Sequence, residues 1–457
     1  MKDRIPEKAF NLAAWVKPEG SEARVDSTPS MQRFENPMFP ENLMEEVCER
    51  SNMIRALKRV TKNKGCAGID GMEVKDLPVF LTKSWSVIRY QLLTGNYVPQ
   101  PIKRVDIPKP KSPSEKRKLG IPCCIDRLIQ QALLQVLQRT WDPFFSDSSF
   151  GFRPERSCHQ AIARAQSYIR EGHHIVVDID LSKFFDEVCH ERLMSKLSRH
   201  ISDKRVLKLI RRFLTAGIMD QGLASTPSKG TPQGGPLSPF LSSIVLDELD
   251  NELEKRELKF VRYADDCNIY VKSRRAGERV MKGIVKFIEV RLKLKVNRKK
   301  SAVDSPQKRS FLGFSFTGGK IPFRRKVAPA SIADFRVKVR KLTRRNSGIS
   351  MEERIKRLNL FLIGWKGYYG YSEAHSIFRD LDSWIRRRLR CIQWKYWKTY
   401  RRRREELLKL GVSEDHAQPS AWSSRGPWCM SHIPGIRIAL NNKYFDSLGL
   451  YRLSRNI

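Results

Sequence analysis

Apolar residues alternate with polar ones through Ile175-Val176-Val177-Asp178-Ile179-Asp180, placing Ile175, Val177 and Ile179 on one face and Val176, Asp178 and Asp180 on the other. A period of two predicts a strand, and Glu191-Arg192-Leu193-Met194-Ser195-Lys196-Leu197 beyond it reads as a helix. Phe260-Val261 and Ile269-Tyr270-Val271 bracket Tyr263-Ala264-Asp265-Asp266, which predicts an apolar hairpin with paired carboxylates at its tip. Between strand and hairpin lies Gly230-Thr231-Pro232-Gln233-Gly234-Gly235-Pro236-Leu237-Ser238-Pro239. A helical pattern starts at Leu43, and a mixed α/β body runs to about Gly319. Beyond it the period lengthens. Ile332, Phe335, Val339 and Leu342 form one helical stripe, Ile355, Leu358, Leu362, Trp365 and Tyr369 form another, and a third helix is predicted over Asp380 to Tyr400. Ahead of all this, Pro6, Pro18, Pro29, Pro37 and Pro40 interrupt a leader with little periodicity, expected to be poorly ordered or draped on the surface.

The polar breaks in this pattern carry the chemistry. Asp is a common turn residue, but adjacent like charges repel and call for compensation. Hard carboxylate oxygens suit a divalent cation such as Mg²⁺, which also binds substrate phosphates. Asp178 and Asp180 form a second acidic cluster, and the glycines between the clusters allow a ligand to approach the backbone closely.

Strand carboxylate, glycine-rich loop and carboxylate hairpin, in that order, resemble the palm of a reverse transcriptase. Further blocks resemble the group II intron reverse transcriptases, or maturases: Lys64-Gly65-Cys66-Ala67-Gly68-Ile69-Asp70-Gly71, Ile107-Pro108-Lys109-Pro110, Leu119-Gly120-Ile121-Pro122, Asp126-Arg127-Leu128-Ile129-Gln130-Gln131-Ala132, Ser149-Phe150-Gly151-Phe152-Arg153-Pro154 and Phe311-Leu312-Gly313-Phe314. The resemblance implies an α+β right-hand polymerase: leader 1–42, N-terminal extension 43–75, fingers and palm 76–319, α-helical thumb 320–400 and a small basic DNA-binding domain 401–457. It implies metal binding by Asp180, Asp265 and Asp266, with two Mg²⁺ ions for which Mn²⁺ can substitute. Periodicity alone does not choose between Asp178 and Asp180, and Asp186 is a further alternate. Alignment to the family motif selects Asp180, because Phe185 then falls where these enzymes set an aromatic ring against the sugar C2′, although a Phe in that place also suits a core. The same alignment assigns Lys109, Arg117, across a longer Lys111–Lys118 loop, and Gln233 to the incoming dNTP, and Lys300 to the leaving pyrophosphate.

Charge agrees with a polyanionic partner. Eighty-seven Lys and Arg against 49 Asp and Glu leave +38 over 457 residues that are 40% hydrophobic, enough for packed domains rather than a basic tail. Arg336, Lys338, Arg340 and Lys341 flank the first C-terminal stripe; Arg386, Arg387, Arg388 and Arg390, then Arg401, Arg402, Arg403 and Arg404, crowd the third helix and its exit. Such runs repel unless phosphates screen them, so they are the candidate nucleic-acid contacts. Trp394, Trp397 and Trp422 suit either base stacking or packing. The nine cysteines are scattered without Cys-x-x-Cys spacing, so neither a zinc site nor a disulfide framework is expected. No apolar run suits a signal peptide or a membrane span, which places the protein in the bacterial cytosol, on the nucleoid when DNA-bound. Only eight histidines occur, and His416 and His432 form no endonuclease cluster; the layout most resembles class C intron enzymes, which would borrow a primer from a replication fork. RNase H carboxylates are also not evident. The expected function is RNA-directed DNA synthesis in retrohoming together with maturase binding of intron RNA, using an RNA template, a DNA primer, target DNA and dNTPs. An intron-independent reverse transcriptase recruited for repair or phage defence is the alternative.

Overall fold

A computed structural model describes residues 39, 41–109, 112–220, 223–225, 229–231, 234–318 and 323–455; most of the leader and Gln233 lie outside them. The described residues divide into two compact units, breaking between Arg309 and Ser310.

The N-terminal unit contains ten-residue and shorter strands in two sheets. The first has the order β2-β1-β4-β5, from β1 (Ile102–Lys109), β2 (Ser112–Ile121), β4 (Ile218–Asp220) and β5 (Leu223–Ser225). The second has the order β6-β7-β3-β8, from β3 (Ile175–Ile179), β6 (Lys259–Tyr263), β7 (Asp266–Val271) and β8 (Ala302–Asp304). Each pairing in the second sheet is antiparallel, with Val177 opposite Ile269 and Asp178 opposite Asn268. The expected alternation holds: Val177, Ile179, Phe260, Cys267 and Ile269 enter the main core, where helix Arg274–Lys286 contributes Ile284. Gly277 of that helix sits so close that a Cβ there would stand 2.6 Å from Val303. The opposite face is not uniformly open, since Val176 is buried as well. Helix Cys158–Arg170 covers that end, bringing Tyr168 within 5.9 Å of Tyr270.

Lys111–Lys118, expected as a loop, is largely strand β2, paired with β1 so that Arg117 stands opposite Ile107 and a bulge falls at Pro108/Lys109. Backbone pairing along β1 satisfies its peptide groups, so this strand forms without the apolar alternation that sequence reading relies on.

The C-terminal unit begins with a ribbon of β9 (Phe314–Phe316) and β10 (Arg325–Val327) and continues as helices Pro329–Leu342, Met351–Tyr369, Ser376–Tyr396 and Tyr400–Lys409, followed by shorter ones. Both predicted stripes pack inward: Phe335, Val339, Ile355, Leu358, Leu362 and Trp365 share a core with Phe378, Leu381, Ile385, Leu389 and Ile392. The third helix starts and stops four residues earlier than expected. Phe378 extends its apolar stripe backward, and Thr399 caps a new helix by accepting from Arg402 N at 3.4 Å. Trp394 and Trp397 are buried, whereas Trp422 is 69% exposed. Among the described residues, no helix is long and apolar enough to cross a membrane.

Candidate active site

The β6–β7 hairpin closes tightly, with Tyr263 opposite Asp266, leaving only Ala264 and Asp265 in the turn. Ala264 adopts φ 58°, a left-handed conformation usually given to glycine in such turns. Its support comes from behind. Arg262, 1% exposed, forms a fully buried ion pair with Asp250 of helix Ser238–Lys255, with Nε 2.6 Å from Oδ1. Its remaining Nη1 donates to the Ala264 carbonyl at 2.9 Å. The Ser149–Pro154 block runs beside β6: Arg262 N donates to Ser148 O and Phe150 N to Arg262 O, both at 2.9 Å. A Cβ on Gly151 would lie 2.3 Å from Ala264 N, so only glycine permits this approach. Arg153, also buried, fixes the block by donating to Ser146 O at 2.6 Å and Ser149 O at 3.0 Å.

Asp180 follows β3 directly. Its N–H donates to Ser301 Oγ at 3.0 Å, and its carbonyl accepts from Asn297 N at 2.8 Å, which draws the Lys295–Ser301 segment alongside. Lys300 Nζ stands 3.7 Å from Asp180 Oδ2. Asp178 has a closer cation: Arg309 donates to its Oδ2 through Nε at 2.9 Å and Nη2 at 2.5 Å, and also holds Lys300 O at 2.6 Å. This pairing separates the two aspartates that periodicity left equivalent. Asp186 lies exposed on the short helix Phe184–Glu187.

The Asp266 carboxyl is pushed up to about 7, first by desolvation and then by Asp265, Asp178 and Asp180, with Lys300 pulling the other way. Its side chain nevertheless reaches solvent, so the like-charge repulsion is the firmer cause. Among the described residues, no three Asp, Glu, His or Cys side chains stand already drawn together around a cation-sized point. Mutually repelling carboxylates with Lys300 facing Asp180 are still the donor set that a hard divalent ion fits, because the ion's charge relieves the repulsion between them.

Phe184 is buried, and Phe185 beside it is half-buried, their rings 5.3 Å apart. Lys109 and Arg117 lie on the β1–β2 hairpin, their side chains outside the described set. Sequence reading missed Arg262, Asp250 and Arg309. The usable signal for Arg262 was an arginine sharing a strand face with the core residue Phe260, which requires a buried partner.

In the C-terminal unit, Arg336 and Arg340 are exposed and Lys338 half-buried. Arg388 instead donates to Thr343 Oγ1 at 2.6 Å and Thr343 O at 3.1 Å, Arg390 to Leu440 O at 2.8 Å, and Arg387 stacks 4.0 Å over Trp428. Burial, then repulsion from Arg386 and Arg437, lowers Arg390 to about 10. Arg403 stacks 4.5 Å over Trp394, and Arg404 pairs with Glu414 at 2.5 Å, leaving Arg401 and Arg402 the exposed members of that run.

Residues 107–316 match the model of reverse transcriptases (RNA-dependent DNA polymerases), and residues 332–411 match that of the group II intron maturase-specific domain. Protein YkfC of Escherichia coli (strain K12) is 32% identical over 357 residues, covering 69% of this chain and 88% of YkfC. The group II intron-encoded protein LtrA of Lactococcus lactis subsp. cremoris is 36% identical over 207 residues, 45% of this chain but only 34% of LtrA. A chain of a partial Cas6-RT-Cas1–Cas2 complex is 26% identical, covering 55% of this chain and 43% of that one with a TM-score of 0.35, too low an overlap to bear on the fold. With both domain signatures in order on one polypeptide, the chain belongs to the group II intron reverse transcriptases/maturases, a family of RNA-directed DNA polymerases.

Proposed function

We propose that this chain copies RNA into DNA during retrohoming of a group II intron, by nucleotidyl transfer at Asp180, Asp265 and Asp266, and that its C-terminal unit binds the intron RNA as a maturase. The observation that carries this reading is the tight β6–β7 hairpin that presents Asp265 and Asp266, held by Arg262 on Ala264 O, together with Asp180 at the end of β3 facing Lys300 at 3.7 Å. Asp180, Asp265 and Asp266 would hold two Mg²⁺ ions, or Mn²⁺ in their place, which would activate the primer 3′-hydroxyl and neutralise the departing pyrophosphate. Arg262 and Gly151 keep the hairpin that presents Asp265 and Asp266 in one conformation. Lys300, beside Asp180, adds positive charge for the pyrophosphate. Lys109, Arg117 and Gln233 receive the incoming dNTP, the two cations complementing its triphosphate. Phe185 excludes a ribose 2′-hydroxyl. Residues 43–75 form the N-terminal extension, 76–319 the fingers and palm, 320–400 the thumb and 401–457 the basic domain for target DNA, acting in the cytosol and on the nucleoid.

The test is extension of a DNA primer on an RNA template by the whole chain with dNTPs and Mg²⁺. Asp265→Asn is expected to slow extension by about a thousandfold or more, the several kcal/mol that metal charge stabilisation supplies, while retaining primer–template binding. Undiminished extension by that variant would overturn the assignment.

A further inference from the structure

An aromatic ring can sense one hydroxyl only if the backbone beneath it stays in place, because contact energies change steeply over a few tenths of an ångström. The helix carrying Phe185 spans only Phe184–Glu187, too short to hold itself. What holds it is the start of the glycine-rich loop. Thr231 N donates to Phe185 O at 2.6 Å and Gly230 N to Val188 O at 2.8 Å, with an antiparallel bridge between Cys189 and Lys229. Gly230, at φ 96°, lies against the gate's main chain: a Cβ there would stand 3.0 Å from Phe185 O and 3.1 Å from Asp186 Cα. Thr231 is buried and its hydroxyl has no partner among the described residues, so the segment does not anchor itself through that side chain.

His190 closes the arrangement. It is buried at the head of helix His190–Ser198, and its Nε2 lies 2.6 Å from Gly230 O. A carbonyl can only accept, so Nε2 carries the hydrogen and donates. We propose that His190 is a positioning residue for sugar discrimination: by fixing Gly230 it fixes the Gly230–Thr231 main chain that grips Phe185 and Val188. This rests on Phe185 being the sugar gate. Among the described residues, the hydrogen bond from His190 goes to Gly230 O rather than to Asp180, Asp265 or Asp266, so its effect falls on selectivity before it falls on rate.

A competition assay with the whole chain, measuring kcat/KM for a ribonucleotide over its deoxynucleotide, tests this. Phe185→Ala should raise that ratio most. His190→Leu, which removes the donor, is expected to raise it by about five- to tenfold, the scale of small displacements in a steric pocket. His190→Gln should restore much of the wild-type ratio, because its amide nitrogen reaches the place of Nε2. Gly230→Ala, pressing on Phe185 O, should also raise the ratio and provides the readout if His190→Leu fails to fold. Wild-type ratios in both His190→Leu and Gly230→Ala, with Phe185→Ala shifted, would overturn the positioning role alone. Equal ratios for the Leu and Gln variants would remove its hydrogen-bond basis. An unchanged ratio in Phe185→Ala would bring down the gate and the clamp together.

Discussion

The acidic hairpin of the N-terminal unit and the arginine-rich helix Ser376–Tyr396 both crowd like charge, and they resolve it in opposite ways. Around the hairpin, Arg309 takes Asp178, while Asp180 faces Lys300 at the longer distance of 3.7 Å and Asp266 stays pushed up to about 7. Along the helix, Arg388 and Arg390 end on Thr343 O and Leu440 O, each at the C-terminus of another helix. Those last carbonyls lack intrahelical partners and carry partial negative charge, so the fold itself supplies the counter-charge. A run of like charge therefore marks a ligand site only where the fold leaves it uncompensated. Asp180 and Asp266 meet that condition, as do Arg401 and Arg402 by their exposure, whereas Asp178, Arg388 and Arg390 are already committed.

The largest effect that sharpens this contrast lies at Arg354, wholly buried, which donates to Leu342 O at 3.0 Å, Ser347 O at 3.2 Å and Ser347 Oγ at 2.8 Å. Arg354→Ala strands these acceptors and should lower stability by about 3–5 kcal/mol in chemical denaturation. Arg354→Lys should recover little, since an ammonium lacks the planar fork. Arg401→Ala should change stability by less than about 0.5 kcal/mol. Equal losses at the two positions would break the distinction between committed and free arginines.

A middle-sized effect belongs to Asp266. Its folded carboxyl sits near 7 against an ordinary 3.8, so folding disfavours its ionised form. The contribution of this group to stability is therefore lost as pH rises from about 4 through about 7 and does not return above it. Without metal, Asp266→Asn should melt a few degrees above wild type at pH 8, with the gap closing towards pH 4; about 1 kcal/mol moves a chain of this kind by a few degrees. Divalent cation should raise the wild-type melting temperature more than the variant's. Calorimetry across pH, with chelator and with Mg²⁺, measures both, and a pH-independent gap would mean that repulsion at Asp266 is unimportant.

Much of this layout was legible in the sequence, for reasons that also explain what was not. β3 and the β6–β7 hairpin showed themselves because one sheet face enters the core, and the C-terminal helices because Phe335, Val339, Leu358 and Leu362 follow the helical period. Strand β2 stayed hidden because Ser112–Ile121 shows no apolar alternation, while its backbone pairs with β1. The positions of Asp265 and Asp266 were readable from a local motif; their support was not, because Arg262 meets Asp250 and Gly151 meets Ala264 across the fold. Sequence also could not tell Asp178 from Asp180, since their difference is made by Arg309, far along the chain. The arginines were visible as charge, yet the groups that occupy Arg387, Arg388 and Arg390 are backbone carbonyls, hydroxyls and an aromatic face, which no charge count registers.

The smallest effect is the sharpest test of the comparison, because it is read in salt dependence and leaves the fold untouched. Arg401 and Arg402 are exposed, with Arg402 only loosely paired to Glu406 at 3.9 Å, so reversing both to Glu should leave stability within about 0.5 kcal/mol. If these side chains meet phosphates, the slope of log affinity for RNA or DNA against log salt should fall by roughly 0.7–0.9 for each phosphate no longer neutralised. Arg388→Ala should do the reverse, because Thr343 already occupies its donors: stability drops and, in the protein that remains folded, the slope stays near wild type. Salt titrations of binding on both variants, with denaturation beside them, decide the matter. A wild-type slope in the Arg401→Glu, Arg402→Glu protein would make that face an ordinary solvated one, and a flattened slope without loss of stability in Arg388→Ala would show that an arginine bonded to a helix end can still serve nucleic acid.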